Sequence, residues 1–114
     1  MVKHQIHEEF QTFTGVSLEE LSKAISDYVV QNNVAAKSLS VLQKNRHQLI
    51  ASIGYRSDEA SYPVSLESVE LPFDMQTMDA NLSTEAEKAP GDVICHSLFV
   101  TSDNRLTVAF LLHG

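Results

Sequence analysis

The spacing of apolar positions changes along the chain, and it predicts a helix before any other element. Apolar residues recur at helical intervals over residues 18–31: Leu18, Leu21, Ile25, Tyr28 and Val29. Ser17 and Glu20 match a capping box, in which the serine hydroxyl accepts from the N–H of Glu20 and the carboxylate reaches back. Asn32-Asn33 predicts the end of this helix.

Two β-hairpins are predicted where apolar and polar positions alternate. The first joins residues 37–42 to residues 47–55 through Lys44-Asn45-Arg46, and the second joins residues 93–100 to residues 106–113. Single strands are predicted over residues 2–13 and 63–71. A second helix is predicted within residues 73–88, and Pro90-Gly91 ends it. Its inward-facing residues are expected to be Met75, Met78, Leu82 and Ala86.

The second hairpin can be laid on the first without a gap, at an offset of 59 residues. Of the 18 pairs from Ser38 to Tyr55, the identical ones are Ser38, Leu39, Val41, Asn45 and Arg46. About one identity would be expected by chance. The helices and first strands show almost no identity, so convergent hairpins are the alternative to duplication, because turns reuse the same residue types.

Each half of the chain therefore has the order β-α-β-β. We predict an α+β fold built from a tandem duplicated β-α-β-β unit, with about six mainly antiparallel strands and two helices. The chain would form a single compact domain, 1–114, made of two repeats, 1–58 and 59–114, related by an approximate two-fold axis. The competing arrangement is a ferredoxin-like core with extra strands, which has the same local order of elements.

Thr14-Gly15-Val16-Ser17-Leu18-Glu19-Glu20-Leu21 opens the first helix directly after the first strand. This segment, together with Val108-Ala109-Phe110 in the last strand, resembles the dodecin type of β-α-β-β protein. The resemblance implies that fold for the first half. Dodecins are about half as long and stack a flavin against tryptophan. The chain has no tryptophan, so no flavin-binding residue is transferred and no cofactor is predicted.

Fifteen acidic and eight basic residues give the 114-residue chain a net charge of -7. Such a surface repels phosphate backbones, so a general nucleic-acid binder is not expected, whereas a basic protein partner is compatible with it. The single cysteine, Cys95, forms no internal disulfide. The N-terminus shows no apolar leader, and the apolar stretch at residues 106–112 is too short to span a bilayer. We therefore expect a cytoplasmic protein without membrane contact.

Two arginines are the candidate ligand-binding residues. Arg46 and Arg105 follow Asn45 and Asn104 at the tips of the two predicted hairpins. Two guanidinium groups related by a two-fold axis could clamp the carboxylate or phosphate of a small anionic ligand. Alternatively, the asparagines adopt left-handed turn conformations and the arginines protect the hairpin tips from aggregation.

The histidine and cysteine positions do not predict a metal site. His4 and His7 are three residues apart and Cys95-His96 are adjacent, so both pairs diverge in extended strands. Residues 1–114 contain no P-loop and no nucleophile elbow. The sequence favours a non-catalytic small binding or assembly module. The alternative is a small hydrolase or metal-dependent enzyme, which needs at least two of His47, Cys95, His96 and a carboxylate to converge.

The last strand is apolar on both of its alternating faces, from Leu106 to Leu112. Strands of this kind are usually covered on both faces. We expect two helices to be too few to cover six strands, which predicts a homo-oligomer, with a dimer favoured. The alternative is a chain that closes on itself as a monomer.

Overall fold

Strands and helices follow one another in the same order in both halves of the molecule. The computed structural model describes residues 8–114, and the predictions for His4 and His7 lie outside that range. Its elements are β1 (Glu9–Gly15), α1 (Leu18–Gln31), β2 (Ala35–Asn45), β3 (Gln48–Arg56), β4 (Val64–Glu70), α2 (Met78–Lys88), β5 (Asp92–Val100) and β6 (Leu106–His113). The predicted α+β fold with two helices and two hairpins is confirmed.

The six strands form two three-stranded antiparallel sheets with the same internal order. The sheet of the first half, sheet 1, has the order β1-β3-β2, and the sheet of the second half, sheet 2, has the order β4-β6-β5. In each, the first and second strands flank the third, and a helix connects the two flanking strands. The ferredoxin-like alternative is not adopted, because the strands form two separate three-stranded sheets rather than one.

The two halves correspond at an offset of 57 residues, slightly different from the 59 that the sequence match indicates. Strand β2 bulges at Lys37 and β5 bulges at Ile94. Tyr55 pairs with Ala36, the residue before the bulge in β2, and Leu112 pairs with Val93, the residue before the bulge in β5. Tyr55 therefore corresponds to Leu112 at the same offset of 57 residues. The sequence match aligned the turns instead, and the turn at residues 101–105 is longer than the turn at residues 46–47.

Helix α1 forms the centre of the main core. Leu21, Ile25 and Val29 are fully buried between residues of both sheets. The helix begins where the sequence predicts, because the Ser17 hydroxyl accepts from the N–H of Glu20 at 3.1 Å. The Glu20 carboxylate accepts from the N–H of Val16 rather than from Ser17.

The two sheets meet along β2 and β5 and enclose α1. The N–H of Val41 donates to Oγ of Ser97 at 2.9 Å, and the N–H of Ser102 donates to Oε1 of Gln43 at 3.0 Å. Since both bonds advance in the same direction along the two strands, β2 and β5 run parallel. On the far side, β4 lies along α1, and the N–H of Leu66 donates to the Ser22 hydroxyl.

Helix α2 packs on the other face of sheet 2 and is less buried than α1. Met78 is its one buried residue, with Leu82 and Ala86 partly buried against the same cluster. The prediction that Met75 faces inward is wrong: it is 84% exposed, because the helix begins only at Met78. No helix among residues 8–114 is long and apolar enough to cross a membrane.

Strand β6 is buried on both faces by its own chain. Its α2-facing side chains form the second core cluster: Leu106, Val108, Phe110 and Leu112. Ala109 and Leu111 lie on the other face, in the core around α1. The doubly apolar pattern of this strand therefore does not call for a second copy of the chain, and any argument for an oligomer must rest on another surface.

Candidate functional site

The hairpin-tip arginines lie in different electrostatic surroundings. Arg105 donates from Nη1 to the Glu70 carboxylate at 3.1 Å, and its Nε lies 3.0 Å from Oδ2 of Asp103. Arg46 forms no ion pair with any residue in the range 8–114. To hold an anionic ligand, Arg105 would have to release two carboxylates.

The asparagines before these arginines also differ in conformation. Asn104 has a left-handed backbone with φ of 65°, whereas Asn45 is not among the positive-φ residues. The Asn45 side chain instead accepts from the N–H of His47 at 2.8 Å, which closes the shorter turn. The bond between Ser102 and Gln43 places the two tips side by side. The structure therefore brings the predicted loops together without giving them equivalent geometry.

The structure does not bring the candidate catalytic residues together. Cys95 packs on the core around α1, whereas His96 is exposed. His47 lies at the other hairpin, in a depression shared with Glu20. No three His, Cys, Asp or Glu residues in the described chain are placed to hold a metal ion. Burial raises the pKa of the Cys95 thiol to about 11, which disfavours the nucleophilic thiolate.

One face of sheet 1 is left uncovered within residues 8–114, and we call it the open face. The strand register assigns it nine residues, in three rows across β1, β3 and β2: Phe10, Gly54 and Ser38; Thr12, Ser52 and Ser40; Thr14, Ile50 and Leu42. None of the nine carries a charge. They alternate with the side chains that pack on α1, so they point away from the core.

Exposed apolar side chains stand at opposite corners of the open face. Phe10 is 66% exposed and Leu42 is 49% exposed. Strand β5, which runs beside β2, adds Leu98 and Val100, which are 42% and 43% exposed on the side opposite its buried Phe99. Between the corners lies a row of hydroxyl side chains, so the centre of the face is flat and neutral.

A charged group borders the open face at the Phe10 row. The Ser38 hydroxyl donates to the Glu8 carboxylate at 3.1 Å and accepts from the N–H of Gly54 at the same distance. Gly54 allows this arrangement, because a Cβ at that position would displace both side chains. The Glu8 carboxylate therefore lies over one end of the face and leaves the other two rows uncharged.

The same end of sheet 1 carries a cluster of ion pairs. Arg56 bonds Asp58 and Glu59, and Glu59 also accepts from Lys37 at 2.7 Å. The hydrogen bond from Arg56 holds the pKa of the Asp58 carboxyl below its usual value. Paired charges therefore border the open face at this end, and the apolar side chain of Leu42 lies at the other end.

A groove of about 610 Å³ separates α1 from β4. Ser22, Ser26 and Ser68 line it with hydroxyl groups, and Lys23 is already paired with Asp27 at 2.9 Å. Such a groove could bind an extended peptide through the edge of β4. Helix α1 covers that edge, however, and the Ser22 hydroxyl already accepts the outward N–H of Leu66.

Sequence reasoning missed the open face, although a signal for it is present. Solvent-facing strand positions in a chain with a charge of -7 would commonly carry Lys or Glu. Here the outward positions of three neighbouring strands are Ser, Thr, Gly and apolar residues. The signal requires the pairing of β1 with β3, which is not readable from local alternation.

No protein-family model matches this chain, and neither a curated protein nor a solved structure matches it at significant similarity.

Proposed function

We propose that the protein is a non-catalytic interaction module that binds a protein surface through its open face. One observation carries the proposal: within residues 8–114, a sheet face whose nine residues carry no charge, with exposed Phe10 and Leu42, is left uncovered in a chain with a net charge of -7. In the described part of the chain, the open face carries none of the charged side chains that dominate the rest of the surface, and its exposed apolar residues favour contact with another protein.

The physical basis is the composition of the face. Burying exposed apolar area contributes roughly 25 cal/mol per Å². Ser, Thr and Gly at the centre lose little side-chain entropy when a partner covers them. The sheet beneath is held by the core around α1, so the surface is already shaped before binding. A preformed, uncharged surface lowers the cost of association.

The other candidates receive less support from the geometry. An anion clamp at Arg46 and Arg105 needs the release of two carboxylates, as described above. A small hydrolase or metal-dependent enzyme needs at least two of His47, Cys95, His96 and a carboxylate within hydrogen-bond reach, and no side-chain hydrogen bond among residues 8–114 joins such a pair. We retain a cytoplasmic location in the proposal, and the absence of a cysteine pair that could form an internal disulfide is compatible with it.

Site-specific photo-crosslinking in the native cells tests the proposal. A benzophenone amino acid replaces Ser40 in the central row of the open face, and in a matched control it replaces Thr84 on the exposed side of α2. We expect a discrete covalent adduct from position 40 and none from position 84. Absence of an adduct at position 40, or an equal adduct at both positions, would contradict the proposal.

A further inference from the structure

We infer that the surface bound by the open face is the open face of a second copy, giving a two-fold symmetric dimer. This inference rests on the proposed function, because it names the partner of the same face. It replaces the argument from β6, whose two apolar faces are already covered inside one chain.

Charge is the first argument for a second copy. Two chains that each carry a charge of -7 repel one another over most of their surfaces. The central row of Thr12, Ser52 and Ser40 and the row of Thr14, Ile50 and Leu42 contain no charged group. These two rows are therefore a region where two identical acidic molecules can touch without bringing like charges into contact. A basic partner would find no carboxylate in them to bind.

Symmetry is the second argument, because a two-fold interface requires a self-complementary surface. Ser52 is the central residue of the nine, with one row and one strand on either side of it. A two-fold axis that runs along the central row, across the strands, places Ser52 of one copy opposite Ser52 of the other and keeps the two Glu8 carboxylates at opposite ends of the contact. The small hydroxyl side chains of the central row then meet without steric conflict, and the larger Phe10 and Leu42 lie at the periphery.

The area of the face sets the expected affinity. Three strands about 4.8 Å apart and three residues about 7 Å apart along each strand give roughly 300 Å² in projection. A stable dimer buries about 800 Å² on each partner. Even with Leu98 and Val100 of β5 at the rim, the contact is at the small end of specific interfaces. We therefore expect a weak dimer, with Kd in the range of about 10 µM to about 1 mM.

Sedimentation equilibrium with charge-swapped variants tests the inference. The wild-type mass should rise from 12.6 kDa toward twice that value between about 1 µM and about 1 mM. Ser52→Lys and Ser52→Glu should each weaken self-association by at least about tenfold, because two like charges would face one another. An equimolar mixture of the two should restore a heterodimer. Thr84→Lys, on α2, should associate as the wild type does.

Three outcomes would overturn the inference: a mass of 12.6 kDa at every concentration, a dimer that Ser52→Lys does not affect, or a mixture in which association is not restored. Circular dichroism of each variant confirms that it is folded. The photo-crosslinking experiment separates the two levels of the argument. An adduct from position 40 to a different protein, with no dimer, would refute the inference and leave the proposed function standing. Absence of any adduct from position 40, both in cells and with the purified protein at about 1 mM, would refute both.

Discussion

The N–H of Val41 donates to the Ser97 hydroxyl at 2.9 Å and joins the edge of β2 to β5 across the boundary between the two sheets. Val41 is 4% exposed, so its N–H would have no access to bulk water without this partner. The bond therefore gives the buried N–H of Val41 an acceptor where the two sheets meet. It also holds the sheets in the arrangement that encloses α1.

We expect Ser97→Ala to lower the free energy of unfolding by about 1–3 kcal/mol, the cost of leaving a buried donor without an acceptor. Ser40→Ala is the control, since Ser40 is exposed on the open face. Urea denaturation monitored by circular dichroism compares the two variants with the wild type. Equal stability of Ser97→Ala and Ser40→Ala would show that the inter-sheet bond does not contribute.

The contact between the two sheets also shows the limit of what local sequence patterns predict about the fold. Local periodicity predicted α1, both hairpins and β4, because each follows from spacing within a few residues. The bond between Val41 and Ser97 joins residues 56 positions apart, and no local pattern specifies it. The offset of the repeat was misjudged for a similar reason: turn residues are chosen for backbone conformation, whereas the bulges at Lys37 and Ile94 follow strand register.

Ser17→Ala should destabilise the protein by about 1 kcal/mol, the usual contribution of an N-cap acceptor. Ser83→Ala provides a matched control, since Ser83 is exposed within α2 and does not cap a helix. Its substitution should cost less than that of Ser17. Chemical denaturation measures both changes. If Ser17→Ala and Ser83→Ala have the same effect, the hydrogen bond to Glu20 does not stabilise α1.

Phe110→Asp should prevent stable folding. Phe110 is 5% exposed beneath α2, and a buried, unpaired carboxylate costs several kcal/mol out of a total stability of roughly 5–15 kcal/mol. Leu98→Asp introduces the same side chain at an exposed position of β5 and should cost about 1 kcal/mol or less. Thermal unfolding followed by circular dichroism distinguishes them. A cooperative transition in Phe110→Asp near that of the wild type would contradict the placement of β6.

Cys95 should react slowly with thiol reagents in the folded protein. Its pKa is raised from 9.0 to about 11 by burial, so at pH 9 the thiolate fraction is lower than in an unperturbed thiol by about fiftyfold. Because the folded-state pKa is the higher one, this thiol also favours folding below pH 9, and that contribution is lost between pH 9 and about 11.

Alkylation of Cys95 measured by mass spectrometry at pH 9 tests this expectation, with the urea-unfolded chain as the reference. Equal labelling rates in the folded and unfolded chains would show that the thiol is not protected. Between pH 9 and pH 11 a Cys95→Ala variant should lose less stability than the wild type, because it lacks the thiol with the raised pKa.

The open face was harder to foresee than the fold because it is defined by what does not cover it. The sequence drew attention to Arg46, Arg105 and the histidines, whose chemistry is visible in one residue. Ser52 and Thr12 attract no attention individually. Their role depends on the register between β1 and β3, and on α1 and sheet 2 both packing on the opposite face of sheet 1.

The salt dependence of self-association should be opposite to that of an electrostatic complex. Two copies with a charge of -7 repel at low ionic strength, and salt screens this repulsion over a Debye length of about 10 Å at 0.1 M. Contacts among Ile50, Leu42 and the hydroxyl row contain no charges to be screened. The dimer Kd should therefore fall severalfold when NaCl is raised from about 20 mM to about 500 mM. A basic protein partner would bind more weakly over the same range, because its attraction to the acidic surface is screened.

Sedimentation velocity of the wild type at both salt concentrations measures whether the dimer Kd falls or rises. A dimer that weakens as salt is added would place charged groups in the contact, and would exclude the open face as its centre.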